Sequence, residues 1–201
     1  MKRVTALFGI ATICISLFAC SGGGSSEAKK ALEQYIKALK KNDFQTLYDL
    51  NSVTQKKVAL IHRSTEQDKE GSLKKNFEEY KAMFDSIQGN EVSNAVWSEK
   101  FLFPADSKHT ISNIIIEEDK DSVTAKFRKR WIAKVEVKVS YPNRDSAPIY
   151  GEELLKEAVY AVVLINGEDV VKGLKKTNVV KDWLFKNINI KEGEITYWPA
   201  S

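Results

Sequence analysis

Cysteine occurs in this chain only at Cys14 and Cys20, and histidine only at His62 and His109, so thiolate and imidazole chemistry has few starting points. Both cysteines fall in the first 20 residues, and the histidines are far apart, so no ligand spacing for zinc arises. The carboxylate pair Glu117-Glu118 borders a predicted turn and does not form a calcium loop. No metal and no cofactor are expected. A catalytic base needs a positioned partner and a sheltered pocket. His62 stands beside Arg63 near a predicted helix end and His109 beside Lys108 in a predicted turn, so both read as solvated surface. Asp43 has a local explanation as a helix N-cap, where its carboxylate accepts from orphan N–H groups. No catalytic residue is assigned.

The binding candidates are Lys129, Trp131 and Trp97. Over residues 122–141, Val123, Ala125, Phe127, Trp131, Ala133, Val135, Val137, Val139 and Tyr141 occupy odd positions, and the even positions are mainly polar. That alternation predicts a half-buried strand. Lys129 alone breaks the odd series. It either points into a pocket, where burial would depress its pKa or demand an anionic partner, or is turned outward by a bulge. A straight strand of that length would span about 60 Å, so a bend, bulge or break is expected over residues 128–132. On the even face, Lys126, Arg128, Arg130, Lys134 and Lys138 form a basic stripe, read as a solvated sheet face, with contact to anionic lipid headgroups as the alternative. Trp97, Phe101 and Phe103 fall in short extended pieces that could be edge strands or a lid, with core filling the simpler role.

Periodicity supplies the elements that would position these residues. Ala28, Ala31, Leu32, Tyr35, Ile36 and Leu39 recur at helical spacing, predicting a helix from Glu27 capped by Ser26 and closed by Lys40-Lys41-Asn42. A short helix follows Asp43, a third covers 54–63, and Leu73, Phe77, Tyr80, Phe84 and Ile87 mark a fourth over 72–87. Strands are predicted at 111–117, within 122–141, at 155–165 before the hairpin signal Asn166-Gly167, from Val170, and over 179–190, where a helix is the alternative. Helices first and a curved antiparallel sheet afterwards is an α+β order.

The first 26 residues carry a different message. Lys2 and Arg3 precede residues 4–19, which are uncharged and mostly apolar. A helix of that length rises about 24 Å, short of a bilayer's hydrocarbon core, so an export signal is expected rather than a permanent span. Leu17-Phe18-Ala19-Cys20 resembles the lipobox of bacterial lipoproteins. The resemblance implies cleavage after Ala19, a diacylglyceryl thioether on Cys20, and a protein held by membrane lipid. An ordinary secretory cut at Ala19-Cys20-Ser21 is the competing reading. Residues 20–26 then form a lipidated Cys and Gly/Ser tether, and 27–201 one domain. Ser21, at the second mature position, resembles the pattern of outer-membrane cargo facing the periplasm.

Removing residues 1–19 takes away Lys2 and Arg3, so the formal net charge falls from +4 to +2. Near-neutrality together with export argues against a nucleic-acid partner. The remaining chain has no cysteine outside Cys20 and must be held by its core, which about 175 residues allow.

Residues 31–44, ALEQYIKALKKNDF, are similar to the opening of the NTF2-like superfamily, as is the later Trp183-x-Phe185 piece. The resemblance implies a cone, with N-terminal helices packed on a strongly curved antiparallel sheet around a pocket. Such folds host scaffolds, binders and enzymes, so fold does not select function. The expectation is a membrane-anchored envelope lipoprotein with a non-enzymatic domain that binds a small apolar ligand or an envelope protein. The alternative is an acid-base pocket enzyme of the isomerase or dehydratase type.

Overall fold

The structure, a computed structural model, describes residues 22–89, 99–120, 130–167 and 183–200. Cys20, Trp97 and Lys129 lie outside the described residues, as do Val170 and the first part of the segment 122–141.

The first helix, α1 (Gly22–Lys41), begins five residues ahead of the expected start, so the residues from Gly22 to Ser26, read as part of a tether, belong to a helix. Three glycines oppose this by about 1 kcal/mol each relative to alanine. Close packing favours it: a Cβ on Gly24 would come within 2.9 Å of Ile116 Cδ1. The expected stripe then runs along the buried face through Ala28, Ala31, Leu32, Tyr35, Ile36 and Leu39. Asn42, with φ 53°, closes α1 in the left-handed conformation. Asp43 N bonds to Ala38 O at 2.9 Å and Asn42 N to Leu39 O at 3.2 Å, the paired pattern of a Schellman stop.

Asp43 caps α2 (Phe44–Leu50) as expected, accepting from Thr46 N at 3.2 Å and Thr46 Oγ1 at 2.7 Å. Asn51 ends α2 and starts α3 (Ser52–Arg63), its Oδ1 accepting from Val53 N at 2.9 Å. Asp68 caps α4 (Lys69–Ser86). The short turn α5 (Glu99–Leu102) corrects the reading of 101–103 as an edge strand or lid: Leu102 and Phe103 are each only 2% exposed and belong to the core.

Among the described residues, five strands form one antiparallel sheet: β1 (Lys108–Glu118), β2 (Trp131–Ser140), β3 (Ile149–Tyr150), β4 (Glu153–Asn166) and β5 (Trp183–Tyr197). β2 pairs with β1 and β4, β4 pairs with β5, and β3 pairs with the start of β4. The sheet curves without closing. The register slips between Ser112 and Ile114, around Asn113 at φ 44°, and three times between β4 and β5. Each such irregularity bends the strands and adds twist. On β2 the expected inward series holds for Ala133, Val135, Val137 and Val139, all at 0–1% exposure, and Tyr141 continues it beyond the strand.

One main core lies between the helices and the concave face, with Leu32, Tyr35 and Ile36 of α1 set against Val135, Val137, Tyr160, Val162 and Phe185. At about 1.5–3 kcal/mol per fully buried large aliphatic or Phe side chain, this burial is the main favourable term in the fold. A second small cluster, Ile132, Ile165 and Leu184, sits on the opposite face near one end of the sheet.

Candidate functional site

The most unusual chemistry in the interior is a carboxyl among tyrosines. Tyr35 comes from the middle of α1, Tyr80 from α4 and Glu99 from α5, with Asn51 at the α2–α3 junction. The Tyr35 hydroxyl donates to Glu99 Oε1 at 3.2 Å, and the Asn51 amide also bonds that hydroxyl. Burial pushes the Glu99 carboxyl up from its ordinary value and so favours the protonated acid. Burial raises Tyr35 and Tyr80 as well, and a negative charge on Glu99 would add to both shifts. A buried carboxyl bonded to a phenol is the kind of pair that could act in acid-base chemistry. Here, however, Glu99 is 5% and Tyr35 1% exposed, and the Tyr35 ring stacks on Phe185 at 4.3 Å. Nearby, Asn76 Nδ2 donates to the Tyr48 hydroxyl at 2.6 Å.

A second buried pair lies deeper on the sheet. The Tyr141 hydroxyl is 3.0 Å from Leu102 O and 2.7 Å from the Tyr160 hydroxyl. A carbonyl can only accept, so Tyr141 donates to Leu102 O and Tyr160 donates to Tyr141. This chain of bonds ties α5 to the sheet.

Of the sequence candidates, Trp131 opens β2, opposite Glu118, and is 46% exposed. It borders a shallow depression with Glu117, Glu118, Lys120 and Ile132. It keeps the parity of the inward series but stands at the end of the sheet, away from Glu99. His62 lies in the last turn of α3, where its backbone carbonyl accepts from Lys69 Nζ at 2.9 Å. His109 corrects its expected place: it belongs to β1, its Nε2 lies 2.8 Å from Glu33 Oε2, and its ring meets Phe103 edge-on. That pair fastens α1 across β1. Among the described residues, no group of three His, Cys, Asp or Glu side chains is placed to hold a metal.

The basic stripe also changes meaning. Lys134 pairs with Glu117 at 2.7 Å and Lys138 with Glu157 at 3.1 Å, so acids on β1 and β4 neutralise the cations of β2. Lys191 adds bonds to Glu136 at 2.8 Å and Glu194 at 2.5 Å, and holds Glu136 below the usual carboxylate range. The described part of this face is a lattice of ion pairs.

Between α3 and α4, an open groove of about 200 Å3 is bordered by Val53, Thr54, Lys57, Asn76, Tyr80 and Met83. Val53 is 52% and Met83 45% exposed. The groove is smaller than the roughly 300–1,000 Å3 typical of small-molecule pockets and suits single side chains of a partner.

Glu99 escaped the sequence reading because it lies in a charged stretch, although Leu102 stands three residues on, on the same face of a helical turn. Tyr35 was legible only as part of an apolar stripe. The chain matches no family model, no curated protein and no solved structure.

Proposed function

We propose that this chain is a bacterial lipoprotein, tethered through Cys20 to the envelope membrane, whose NTF2-like domain binds a partner without catalysing a reaction. The observation that carries the anchor is Cys20 directly after the apolar stretch 4–19 in the string Leu17-Phe18-Ala19-Cys20. Two acyl chains would hold the protein stably, since each buried methylene contributes about 0.8 kcal/mol. The binding role is supported by the sealed interior, where the Glu99–Tyr35 pair is out of reach of a substrate, and by Val53 and Met83 at the rim of the α3–α4 groove. The partner class favoured by that groove is an envelope protein that inserts apolar side chains. Outer-membrane placement facing the periplasm follows from Ser21 on the same reading.

Labelled palmitate should appear on the wild-type protein and vanish in Cys20→Ser; label that survives the substitution sinks the anchor. For the partner, a photo-crosslinking residue at Met83 should give an envelope adduct that Val53→Asp abolishes. An adduct indifferent to Val53→Asp would refute the groove.

A second reading, a pocket enzyme with acid-base chemistry, is favoured by the convergence of Glu99, Tyr35 and Tyr80. It requires that the core open, so amide exchange at Tyr35 and Leu102 should be fast on the timescale of turnover. Protection at the level of global unfolding would exclude it.

A further inference from the structure

The start of α1 fixes which end of the domain would meet a membrane. Gly24 packs against Ile116 and Trp183. Glu33, further along the helix, reaches His109 near the opposite end of β1. The helix therefore runs from the end of the sheet where Glu118 pairs with Trp131 and Asn166 with Trp183. Because the helix already begins at Gly22, the chain from Cys20 to the folded body is two residues, or at most about 7 Å fully extended. That is much shorter than a leash of six or seven extended residues, and it leaves little room for the domain to turn.

Trp131 stands at this end and shares the parity of the inward, helix-facing series of β2, just past the residues that α1 covers. Its 46% exposure is unusual for a large aromatic residue beside a core, and Ile115, 48% exposed, lies at the same end on the outer face. Among the described residues, the neighbouring charges include the ion pairs Lys134–Glu117 and Lys186–Asp119 at 3.4 Å, which set an acid beside each of these cations. An amphipathic indole near a lipid attachment point fits the headgroup level of a bilayer.

We propose that the sheet end bearing Trp131, with Glu118, Lys120 and Ile132 around it, is a lipid-contacting surface that sets the orientation of the domain on the membrane. The proposal rests on the reading of Cys20 as the lipid attachment site. Acyl chains on Cys20 supply the hold, and the short connection raises the local concentration of bilayer at Trp131, so a weak contact suffices to orient the body. Zwitterionic lipid serves as well as anionic lipid because the ring, rather than charge, makes the contact.

The test uses residues 20–201, in which Cys20 is the only thiol, coupled through that thiol to a maleimide-headgroup lipid in phosphatidylcholine vesicles. The vesicles carry a phospholipid with a nitroxide on its headgroup. Tryptophan emission should be quenched, and Trp131→Phe should remove most of that quenching, as should Trp131→Tyr, the milder variant if folding is affected. Trp198→Phe should retain it, because Trp198, whose backbone N–H donates to Leu154 O at 2.9 Å, lies at the far end of the sheet. Undiminished quenching in both folded Trp131 variants would overturn the proposed lipid contact at Trp131. The full-length chain expressed in a bacterial host supplies the separate control: Cys20 without lipid by mass spectrometry would overturn the anchoring reading, independently of the vesicle result.

Discussion

The hydroxyl chain from Tyr160 through Tyr141 to Leu102 O makes an asymmetric prediction. Tyr141→Phe removes both the donor to Leu102 O and the acceptor of Tyr160, leaving two buried polar groups without their bonds. Unsatisfied buried groups cost about 1–3 kcal/mol, so a loss of about 2 kcal/mol is expected. Tyr160→Phe leaves the Tyr141–Leu102 bond intact and removes one hydrogen bond, for about 1 kcal/mol. In a domain of this size each kcal/mol lowers Tm by about 2–4 °C, giving expected drops of about 4–8 °C and about 2–4 °C. In the double variant the orphaned Tyr160 hydroxyl is gone, so its loss should be close to that of Tyr141→Phe alone, a coupling of about 1 kcal/mol. Urea unfolding of the four proteins, with a common m-value, measures all three numbers. Equal costs for the single variants, or simple additivity, would refute the assigned direction of the bonds.

Glu99→Gln tests the buried acid through pH. A carboxyl whose folded pKa is raised contributes stability that is fully present below its unfolded pKa and is lost as pH rises through the folded value. The wild type should therefore lose stability as pH climbs from the ordinary carboxylate range, and the variant should lose less over the same interval; matching profiles in urea titrations would count against an upward shift of the Glu99 carboxyl. Asp43→Ala removes the cap bonds to Thr46 and should cost about 1 kcal/mol, read as a Tm drop of about 2–4 °C. Lys134→Met and Lys138→Met each break an exposed ion pair and should shift stability by less than about 1 kcal/mol. Neither should weaken sedimentation with anionic vesicles, and a clear loss would revive the basic-stripe reading. Gly71→Ala should bring none of the usual helix-propensity gain of about 1 kcal/mol, because a Cβ there would fall 2.2 Å from the Asp68 carboxylate that caps α4.

The interior and the surface divide the chemistry of this protein in an instructive way. Among the described residues, ion pairs at the sheet surface join opposite charges across strands, as with Lys138 and Glu157, where solvent keeps the energetic stakes small. Two acids are buried among the described residues: Asp119, paired with Lys186 at 3.4 Å, and Glu99, held by the Tyr35 phenol rather than by a cation. Lys100, its neighbour, is turned the other way, bonding Phe84 O at 2.9 Å and Ile87 O at 2.8 Å. Those two bonds stitch the start of α5 to the end of α4, and the Tyr141 hydroxyl on Leu102 O ties its other end to the sheet.

Local rules made much of the architecture legible. The stripe of α1, the Asp43 cap, the Asn42 stop and the inward series of β2 all follow from periodicity, side-chain geometry and short-range hydrogen bonds, which act within a few residues. The Cys20 reading is of the same kind, since export machinery reads a linear string. What depends on distant partners was not legible. Gly22 to Ser26 look like a tether by composition, yet the approach of Ile116, some ninety residues away, gives the helix something to pack on. His109 looks solvated until Glu33 is brought beside it, and Lys134 and Lys138 look like a cationic face until β1 and β4 supply their acids. Glu99 reads as one more surface charge. Periodicity and short-range hydrogen bonding specify α1 to α4, the main strands and the parity of β2; which charges are neutralised, which acids are buried and which end of the sheet α1 starts from depend on through-space contacts between residues that no local pattern links.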